Sequence, residues 1–574
     1  KGVFNFSRFA GFYGQATLDD MEGKVGLDIG RAPLEMRIRG ESELTVLWEQ
    51  VRLHALPAHA ADSVGRVGPI KGKAKFVAYL RADFKGPAQY RGQVLFDNTE
   101  ARIGVVSLTK IHGHLSFSPL ELRTGGLTFQ VEDSPLRVAG ALTDYRSNSP
   151  TLDLTLDSTG VKAGALAAMF LSAASPKDPG IIRGRVRYRG TLAAGGKTSL
   201  NGALDLAGIT LPLRLFKEPI GDVYGQLKFE PDGIDLSGFK GRVAGYGFDF
   251  SGRWVYGNAP RLRFSSSAVE MDFTGLLPRP KAQKPPSPAM ERFYSRLQVE
   301  GKVRIHHGKY RGFRFTDLST DVSLNRRRWL FDHFSAKSGG GNIEGDAAFM
   351  DQPGGLSFTV KPKIQKVAVG EVLGFFGKGA EDLTGKVDLA GVFESEGKDV
   401  QERKKKLRGS FKIDAEDGVI RRMALLVRIL SLMDLSRWFT LKMPDFSQEG
   451  IQYKKISADF TILGGVYSTR NLVVDGDELR LSGAGEIDGA KGEMDLVIAM
   501  RPFPNLDAAV SHIPLIGRGL AGIKNSLLVA SFRVRGPLDD PSITPAPIST
   551  LSEFLFGALS IPKDMIGIPG AGEP

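Results

Sequence analysis

The stretch RLSGAGEID, residues 480–488, shows the pattern that decides the fold. Leu481 and Ile487 fall on one side of a period-2 alternation, and the charged Glu486 falls on the other. Side chains two residues apart point to the same face of a β-strand. Gly483 falls on the apolar side, where a core strand normally places a large side chain. The stretch therefore predicts a strand with one apolar face and a gap in that face.

The same arrangement of a glycine within alternating apolar residues recurs along the whole chain. Examples are MRIRG, IRGRVRY and VYGQLKF, which end at or surround a glycine with the parity of the apolar face. Repetition of one hairpin-like pattern over hundreds of residues is typical of an array of stacked β-hairpins. The fifteen glycines are Gly23, Gly40, Gly72, Gly92, Gly113, Gly140, Gly184, Gly202, Gly225, Gly252, Gly301, Gly345, Gly385, Gly409 and Gly483.

Composition limits the classes of protein to which the chain can belong. Its 574 residues include 70 Gly, 31 Pro and no Cys, so disulfides, thiolate zinc sites and cysteine nucleophiles are excluded. The formal net charge of +12 permits contact with anionic lipid or nucleic acid and proves neither. The chain begins without an apolar targeting or membrane-spanning segment, and we expect such a segment to precede it.

The predicted fold is mainly β, with antiparallel hairpins in series and a few short helices, mostly toward the C-terminus. We divide the chain into a β-rich repeat region over 1–277, a Pro-rich linker or loop over 278–290, and a second β region over 291–574. Open sheets rarely exceed about ten strands without curling or splitting. The apolar faces therefore either pair into β-sandwiches or curl into a long apolar groove, and the alternation alone leaves both open.

The inward glycines bear on that choice, because a glycine in a strand marks a bulge, a bend or the close approach of another group. Kinks at such glycines are one means of curving a sheet. Fifteen of them on the apolar face favour a curved sheet whose inner face stays hollow.

The second half of the chain resembles the AsmA-like family of bridge-like lipid-transfer proteins in Gram-negative envelopes. The resemblance is carried by residues 460–500, by the apolar segment GVIRRMALLVRILSLMDLSRWF at 418–439, and by FRVRGPLDDPSITP at 532–545. It is clear from Val299 onward. It implies a long β-sheet rolled into a groove that crosses the periplasm, and passage of phospholipid along that groove between the inner and outer membranes.

Parity in the strands gives the candidate groove-lining residues. Each one alternates with polar residues in a quoted or neighbouring repeat. They are Leu136, Val138, Leu142, Ile182, Val186, Tyr188, Phe248, Phe250, Trp254, Val303, Ile305, Ile343, Phe349, Val387, Leu389, Phe411, Ile413, Leu479, Leu481 and Ile487.

Three apolar segments, predicted as helices over 420–439, 505–530 and 549–562, concentrate apolar surface toward the C-terminus. The first carries too many charges for a membrane span, and it either lies at a membrane interface or packs as ordinary core. The concentration predicts an end that contacts a membrane or an envelope protein. The candidate contact residues are Arg421, Arg422, Arg428, Trp438, Phe554 and Phe556.

No enzyme, metal site or cofactor is predicted. His112 and His114 flank Gly113 on the polar face without a third ligand nearby, and phosphate-loop, zinc-protease and nucleophile-elbow motifs are absent from the sequence. The basic runs NRRRW and ERKKKLRG are typical of solvated loops, and no nucleic-acid module is recognised.

The expected function is a non-enzymatic phospholipid conduit in the periplasm, anchored to the inner membrane by a segment outside this sequence. Phospholipids and both membranes are its expected partners, with an envelope protein at the C-terminal end. Two alternatives stay open, an outer-membrane protein assembly factor that holds strands at a sheet edge and a structural envelope scaffold built of β-sandwiches.

Overall fold

The computed structural model describes most of the chain and divides it into two compact units, residues 1–261 and 262–574. The described residues are 3–13, 16–26, 34–45, 68, 70–82, 89–103, 106–165, 180–192, 198–211, 216–276, 288–352, 355–375, 383–421, 450–477, 479–502 and 530–546.

Fourteen strands are described in the first unit. They are β1 (Val3–Tyr13), β2 (Ala16–Gly26), β3 (Leu34–Glu43), β4 (Lys73–Ala82), β5 (Gln89–Ile103), β6 (Val106–Phe117), β7 (Glu121–Val131), β8 (Ser134–Thr143), β9 (Thr151–Lys162), β10 (Ile181–Thr191), β11 (Thr198–Leu211), β12 (Ile220–Glu230), β13 (Gly233–Val243) and β14 (Tyr246–Val255).

Fourteen more strands are described in the second unit, with three short helices. The strands are β15 (Arg261–Asp272, which begins at the boundary), β16 (Gln298–Tyr310), β17 (Phe313–Asn325), β18 (Arg328–Ser338), β19 (Gly341–Gln352), β20 (Gly355–Ala368), β21 (Lys386–Gly397), β22 (Arg408–Ile420), β23 (Ile451–Leu463), β24 (Val466–Asp475), β25 (Leu479–Asp488), β26 (Glu493–Pro502), β27 (Ala530–Pro537) and β28 (Ser542–Pro545). The helices are α1 (Pro288–Arg296), α2 (Val369–Phe375) and α3 (Val400–Lys405).

Strands that follow one another in the sequence pair side by side and antiparallel, from β1 to β14 in the first unit and from β16 to β28 in the second. Each unit is thus an open, curved sheet of hairpins in series. The predicted mainly-β fold of repeated antiparallel hairpins is confirmed.

The pair β15 and β16 departs from this pattern. Arg263 lies beside Glu300 near the start of both strands, and the amide of Phe273 donates to the carbonyl oxygen of Lys309 near the end of both. The two strands therefore run in the same direction. A parallel pair needs a crossover connection, and residues 273–297, which include the Pro-rich stretch and α1, provide it.

Helix α1 begins at Pro288, inside the stretch predicted as a linker or loop. Proline is well tolerated in the first turn of a helix, because the amide it lacks has no intrahelical partner there. The last three residues of the predicted linker, 288–290, are therefore helical. The bounds of two predicted helices also differ from the structure. Ile420, the predicted first residue of one helix, is the last residue of β22, and Ala530, the predicted last residue of the other, is the first residue of β27.

The two ends of the strands in each sheet differ in the length of their longest connections. At one of these ends, which we call the hairpin edge, the connections are at most ten residues long, and examples are 118–120, 231–232, 326–327 and 464–465. At the other, the long-loop edge, lie the longest connections between antiparallel neighbours: 44–72, 163–180, 369–385, 421–450 and 503–529. Helix α2, predicted from VGEVLGFF, lies in one of these connections and packs against β17 and β20.

Single residues with a left-handed backbone interrupt many strands. Asn98, Asp222, Asp317, His333 and Lys366 have φ between 50° and 54°, and each lies at a shift of the strand register. Such shifts are β-bulges, which bend a strand and increase its twist. The curvature predicted from inward glycines therefore rests in large part on polar bulge residues, among which Asn and Asp tolerate the left-handed region best.

Fully buried side chains gather toward the long-loop edge. In the first unit they include Val131 and Val161, and in the second unit Met500 and Val534, all at most 1% exposed. Burial of a side chain of this size stabilises the fold by about 1.5–3 kcal/mol. The core of each unit is thus displaced toward one end of its strands.

Candidate functional site

The twenty residues predicted to line a groove lie on one face within each unit. Directly opposite residues in an antiparallel ladder point to the same face, so the strand register decides this placement. In the first unit, Val186 lies opposite Leu156, which in turn lies opposite Val138. In the second unit, Ile364 lies opposite both Ile343 and Leu389.

One apolar row crosses seven successive strands of the first unit, from β8 to β14. At about 4.8 Å between neighbouring strands, it spans roughly 29 Å. Its members are Val138, Leu156, Val186, Gly202, Phe229, Ile234 and Trp254. Leu156, Phe229 and Ile234 were absent from the predicted set, although their parity would have identified them, and Gly202 was among the predicted inward glycines.

Partial exposure distinguishes this row from an ordinary core. Every side chain of the row is half-buried, neither sealed nor fully in solvent, and Gly202 contributes no side chain. Among the twenty predicted residues, fifteen are half-buried, and the five buried ones are Leu136, Ile305, Val387, Leu479 and Leu481. The apolar face of β8 to β14 thus stays accessible over most of its width.

In the second unit, aromatic rings lie on the apolar face. The rings of Phe411 and Phe460 stack with centroids 4.8 Å apart, and Phe393 lies 5.5 Å from Phe411 on the other side. Phe349 meets the ring of Phe331 edge-on at 5.8 Å and lies tilted at 6.4 Å from the ring of Phe358, on β18 to β20. These aromatic contacts extend the apolar surface from strand to strand.

The glycine gaps are filled at several positions. A phenylalanine on a neighbouring strand lays its ring over the glycine, as Phe6 does over Gly23 and Phe76 over Gly40. The same cover is found at Gly92, Gly225 and Gly301, and Leu472 lies over Gly483. The interpretation that the glycines keep the inner face hollow is wrong at these positions, where a ring or a leucine takes the space.

The opposite face of the sheet is charged and paired. On β10, Arg187 donates two hydrogen bonds of 2.7 Å to Asp153 of β9, and Arg189 donates to the same carboxylate. The hydrogen bond from Arg187 holds the pKa of Asp153 well below its usual range. The face that was predicted to be polar therefore stays ionised and hydrated, and it gives the sheet a wet side and an apolar side.

The other predicted chemistry lies on the polar face or outside the described residues. His112 contacts Asp97 at 3.1 Å, and no group of three metal-ligating side chains occurs among the described residues. Arg421 is exposed. The other candidate contact residues, Arg422, Arg428, Trp438, Phe554 and Phe556, and most of the helices predicted over 420–439, 505–530 and 549–562 lie outside the described residues. None of the described helices is long and apolar enough to cross a bilayer.

Comparison with known proteins finds a family match within the second half of the chain. Residues 302–543 match the model of the family described as YhdP protein. The intermembrane phospholipid transporter YhdP of Escherichia coli strain K12 is 20% identical over 274 residues, which cover 45% of this chain and 22% of that transporter. The match thus spans about a fifth of the length of that relative, and no solved structure matches. The AsmA-like resemblance of the second half is confirmed, and the chain carries a YhdP-family region over residues 302–543.

Proposed function

We propose that the chain forms part of a non-enzymatic conduit that moves phospholipid across the periplasm between the inner and outer membranes. The observation that carries this proposal is the row of half-buried apolar side chains from Val138 to Trp254, with a charged and paired face behind it. The match of residues 302–543 to the YhdP family, and the phospholipid transport carried out by the E. coli relative, support phospholipid as the substrate class.

The energetic reason for such a face is the cost of exposing acyl chains. Each methylene removed from water contributes about 0.8 kcal/mol, so a chain of fifteen methylenes costs roughly 12 kcal/mol to expose. A continuous apolar face lowers that barrier along the whole path. The half-buried state of Val186 and Phe229 matters here, since a fully sealed side chain offers no surface to a passing chain.

The charged face supports the same role from the other side. Arg187 and Arg189 share Asp153, so the carboxylate neutralises part of the arginine charge on the outer face. A charged outer face keeps the sheet in contact with water, while the apolar face remains available to lipid tails. The lipid headgroup stays in solvent at the open side of such a sheet.

Native mass spectrometry of the gently purified chain tests the proposal. We expect more than one phospholipid per chain, and lipid extraction should identify the headgroups. An apo mass under mild conditions would contradict a conduit and favour a lipid-free scaffold. Co-purification of unfolded outer-membrane protein in place of lipid would favour an assembly factor.

The C-terminal segments carry a second part of the proposal. Arg421, Arg422, Arg428, Trp438, Phe554 and Phe556 are proposed to contact a membrane or an envelope protein. Flotation of the full chain with phospholipid vesicles should fall when Phe554 and Phe556 are both changed to Asp. The double change Phe4→Asp and Phe12→Asp in the exposed strand β1 is the control. Equal flotation of all three proteins would assign the segments to the core.

A further inference from the structure

A second candidate site lies on the polar face of the first unit, at the hairpin edge of β3 to β7. A cavity of about 510 Å³ is lined there by Arg37, Tyr79, Arg91, Ser116 and Arg123, among others. Cavities of this size are typical of small-molecule sites. We infer that this cavity binds the phosphate group of a phosphate ester, held by the guanidinium group of Arg91 together with that of Arg37 or Arg123.

The register of the strands brings the three arginines together. Arg37 of β3 lies opposite Tyr79 of β4, which lies opposite Arg91 of β5. Arg123 of β7 lies opposite Ser116 of β6 in the neighbouring row. The cationic side chains thus come from alternate strands, about 10 Å apart, with an uncharged residue between them. This spacing leaves room for an anion to receive hydrogen bonds from more than one guanidinium group.

Tyr79 orients two of the three arginines. The guanidinium carbon of Arg37 lies 5.5 Å from the centre of the Tyr79 ring, and that of Arg91 lies 5.3 Å from it. Both distances are within the range of a cation–π contact. The Tyr79 ring therefore lies between two arginines of the neighbouring strands and contacts both at the wall of the cavity.

The charges of the site are only partly balanced. Arg37 donates to Glu22 at 3.1 Å, and Arg123 donates to Glu121 at 2.8 Å. Among the described residues, Arg91 contacts the Tyr79 ring and forms no ion pair. Arg123 also feels the charge of Asp153, so Arg91 is the cation of the site that offers its charge to the anionic phosphate group of an ester.

The fork of donors on Arg37 is partly covered. Its Nε–H is buried and lacks a hydrogen-bond partner among the described residues, while 32% of the side chain is exposed. Arginine binds phosphate oxygens well because its planar fork of donors matches their geometry. A phosphate oxygen in the cavity can reach the exposed part of this fork.

The inference does not depend on the proposed conduit, because the cavity lies on the face opposite the apolar row and its test involves no lipid transport. The phosphate group has two possible sources, a soluble phosphate ester or a phospholipid headgroup. Isothermal titration of the full chain with glycerol 3-phosphate probes the first source. Co-sedimentation with phosphatidylglycerol vesicles probes the second.

The test variant is Arg91→Gln, and Arg81→Gln is the control. Both residues are exposed, and Arg81 lies on β4 two residues from Tyr79 but outside the lining. Loss of a charged hydrogen bond corresponds to at least about a tenfold weaker affinity. We expect that loss for Arg91→Gln and less than about a twofold change for Arg81→Gln, with unchanged melting temperatures.

Each outcome decides the inference. Saturable binding of glycerol 3-phosphate with this difference supports a site for soluble esters, and the same difference with vesicles alone supports a headgroup site. No binding of either probe, or equal weakening by both variants, would overturn the inference, since general surface charge would then explain any attraction.

Discussion

Two regions of the molecule share one alternating sequence pattern and bury their apolar faces to different depths. From β8 to β14, in the first unit, the row from Val138 to Trp254 is half-buried. From β25 to β27, in the second unit, Leu481, Met500 and Val534 are buried, with Met500 and Val534 at 0% exposure. The first region is called the open region and the second the sealed region below.

The sealed region differs further on its second face. Ala484, Val497 and Ala499 alternate with the core residues and are also buried, at 2%, 3% and 7% exposure. Small and apolar residues of β25 and β26 here take positions that arginines occupy on the same face of β10 in the open region, while Arg533 of β27 lies opposite Val497 on that face. The comparison teaches that alternation identifies the face of a strand, while the identity of the residues on the second face shows whether that face meets water.

The largest expected difference between the regions follows a charge placed on the apolar face. Val534→Asp places an unpaired carboxylate in a site without access to water, and we expect a loss of at least about 4 kcal/mol in the free energy of unfolding. Val186→Asp in the open region should cost at most about 2 kcal/mol, because its carboxylate reaches solvent. Urea denaturation of both variants measures the difference. Equal losses would remove the distinction between the two regions.

The next test concerns function at a half-buried position. Val303→Asp should abolish rescue of envelope permeability in cells, because its charge lies where acyl chains are proposed to move, while the protein stays folded and abundant. Arg304→Asp is the matched control, since Arg304 is exposed on the polar face and the change should have little effect. Abundance, melting temperature and rescue are measured for both. Loss of folded protein at Val303→Asp would place this strand with the sealed region.

A smaller effect is expected from two glycines of β25 in the sealed region. Gly485 has φ of +140°, and a Cβ there would clash with the carbonyl oxygen of Asp495. Gly485→Ala should therefore cost about 1–3 kcal/mol. Gly483 has no such backbone restriction, and a Cβ would lie 3.2 Å from Cδ2 of Leu472, a flexible side chain. Gly483→Ala should cost less than about 1 kcal/mol, and thermal unfolding of the pair should show the difference. A larger loss at Gly483 would show that Leu472 cannot move.

The smallest effect expected is pH-dependent. Arg533 donates hydrogen bonds of 2.9 and 2.8 Å to Asp495 and lowers the pKa of that carboxyl group. A lowered pKa stabilises the fold above the unfolded value of about 3.9, and the contribution is lost as the pH falls through the folded value. Because the pair is about one third exposed, the contribution is about 1 kcal/mol.

Asp495→Asn should therefore lower the stability at pH 7 and differ less from the unmodified protein at pH 3. Urea denaturation at the two pH values measures this, and Arg533→Gln should reproduce the loss at pH 7. A gap between Asp495→Asn and the unmodified protein that is the same at both pH values would show that the ion pair is not its source.

Sequence reasoning identified the candidate face well, because the parity of side chains in a strand is fixed by backbone geometry. The register pairs confirm the shared face at Val186, Ile343 and Leu389 without exception. Sequence reasoning missed the bulges, although a change of parity in the sequence marks them. In β5 the apolar positions change from Val94 and Phe96 to Ala101 across Asn98, so the parity shift marks the bulge.

The sequence by itself determined that the protein is mainly β, that its strands are joined as hairpins in series, and which side chains share a face. These follow from local rules, since alternation and turn residues act within a few positions along the chain. Tertiary structure alone decided that a ring covers Gly23, that β15 and β16 run parallel, and that Met500 is sealed while Val186 is half-buried. The physical reason is that burial depends on atoms from strands distant in the sequence, and the period of one strand carries no record of them.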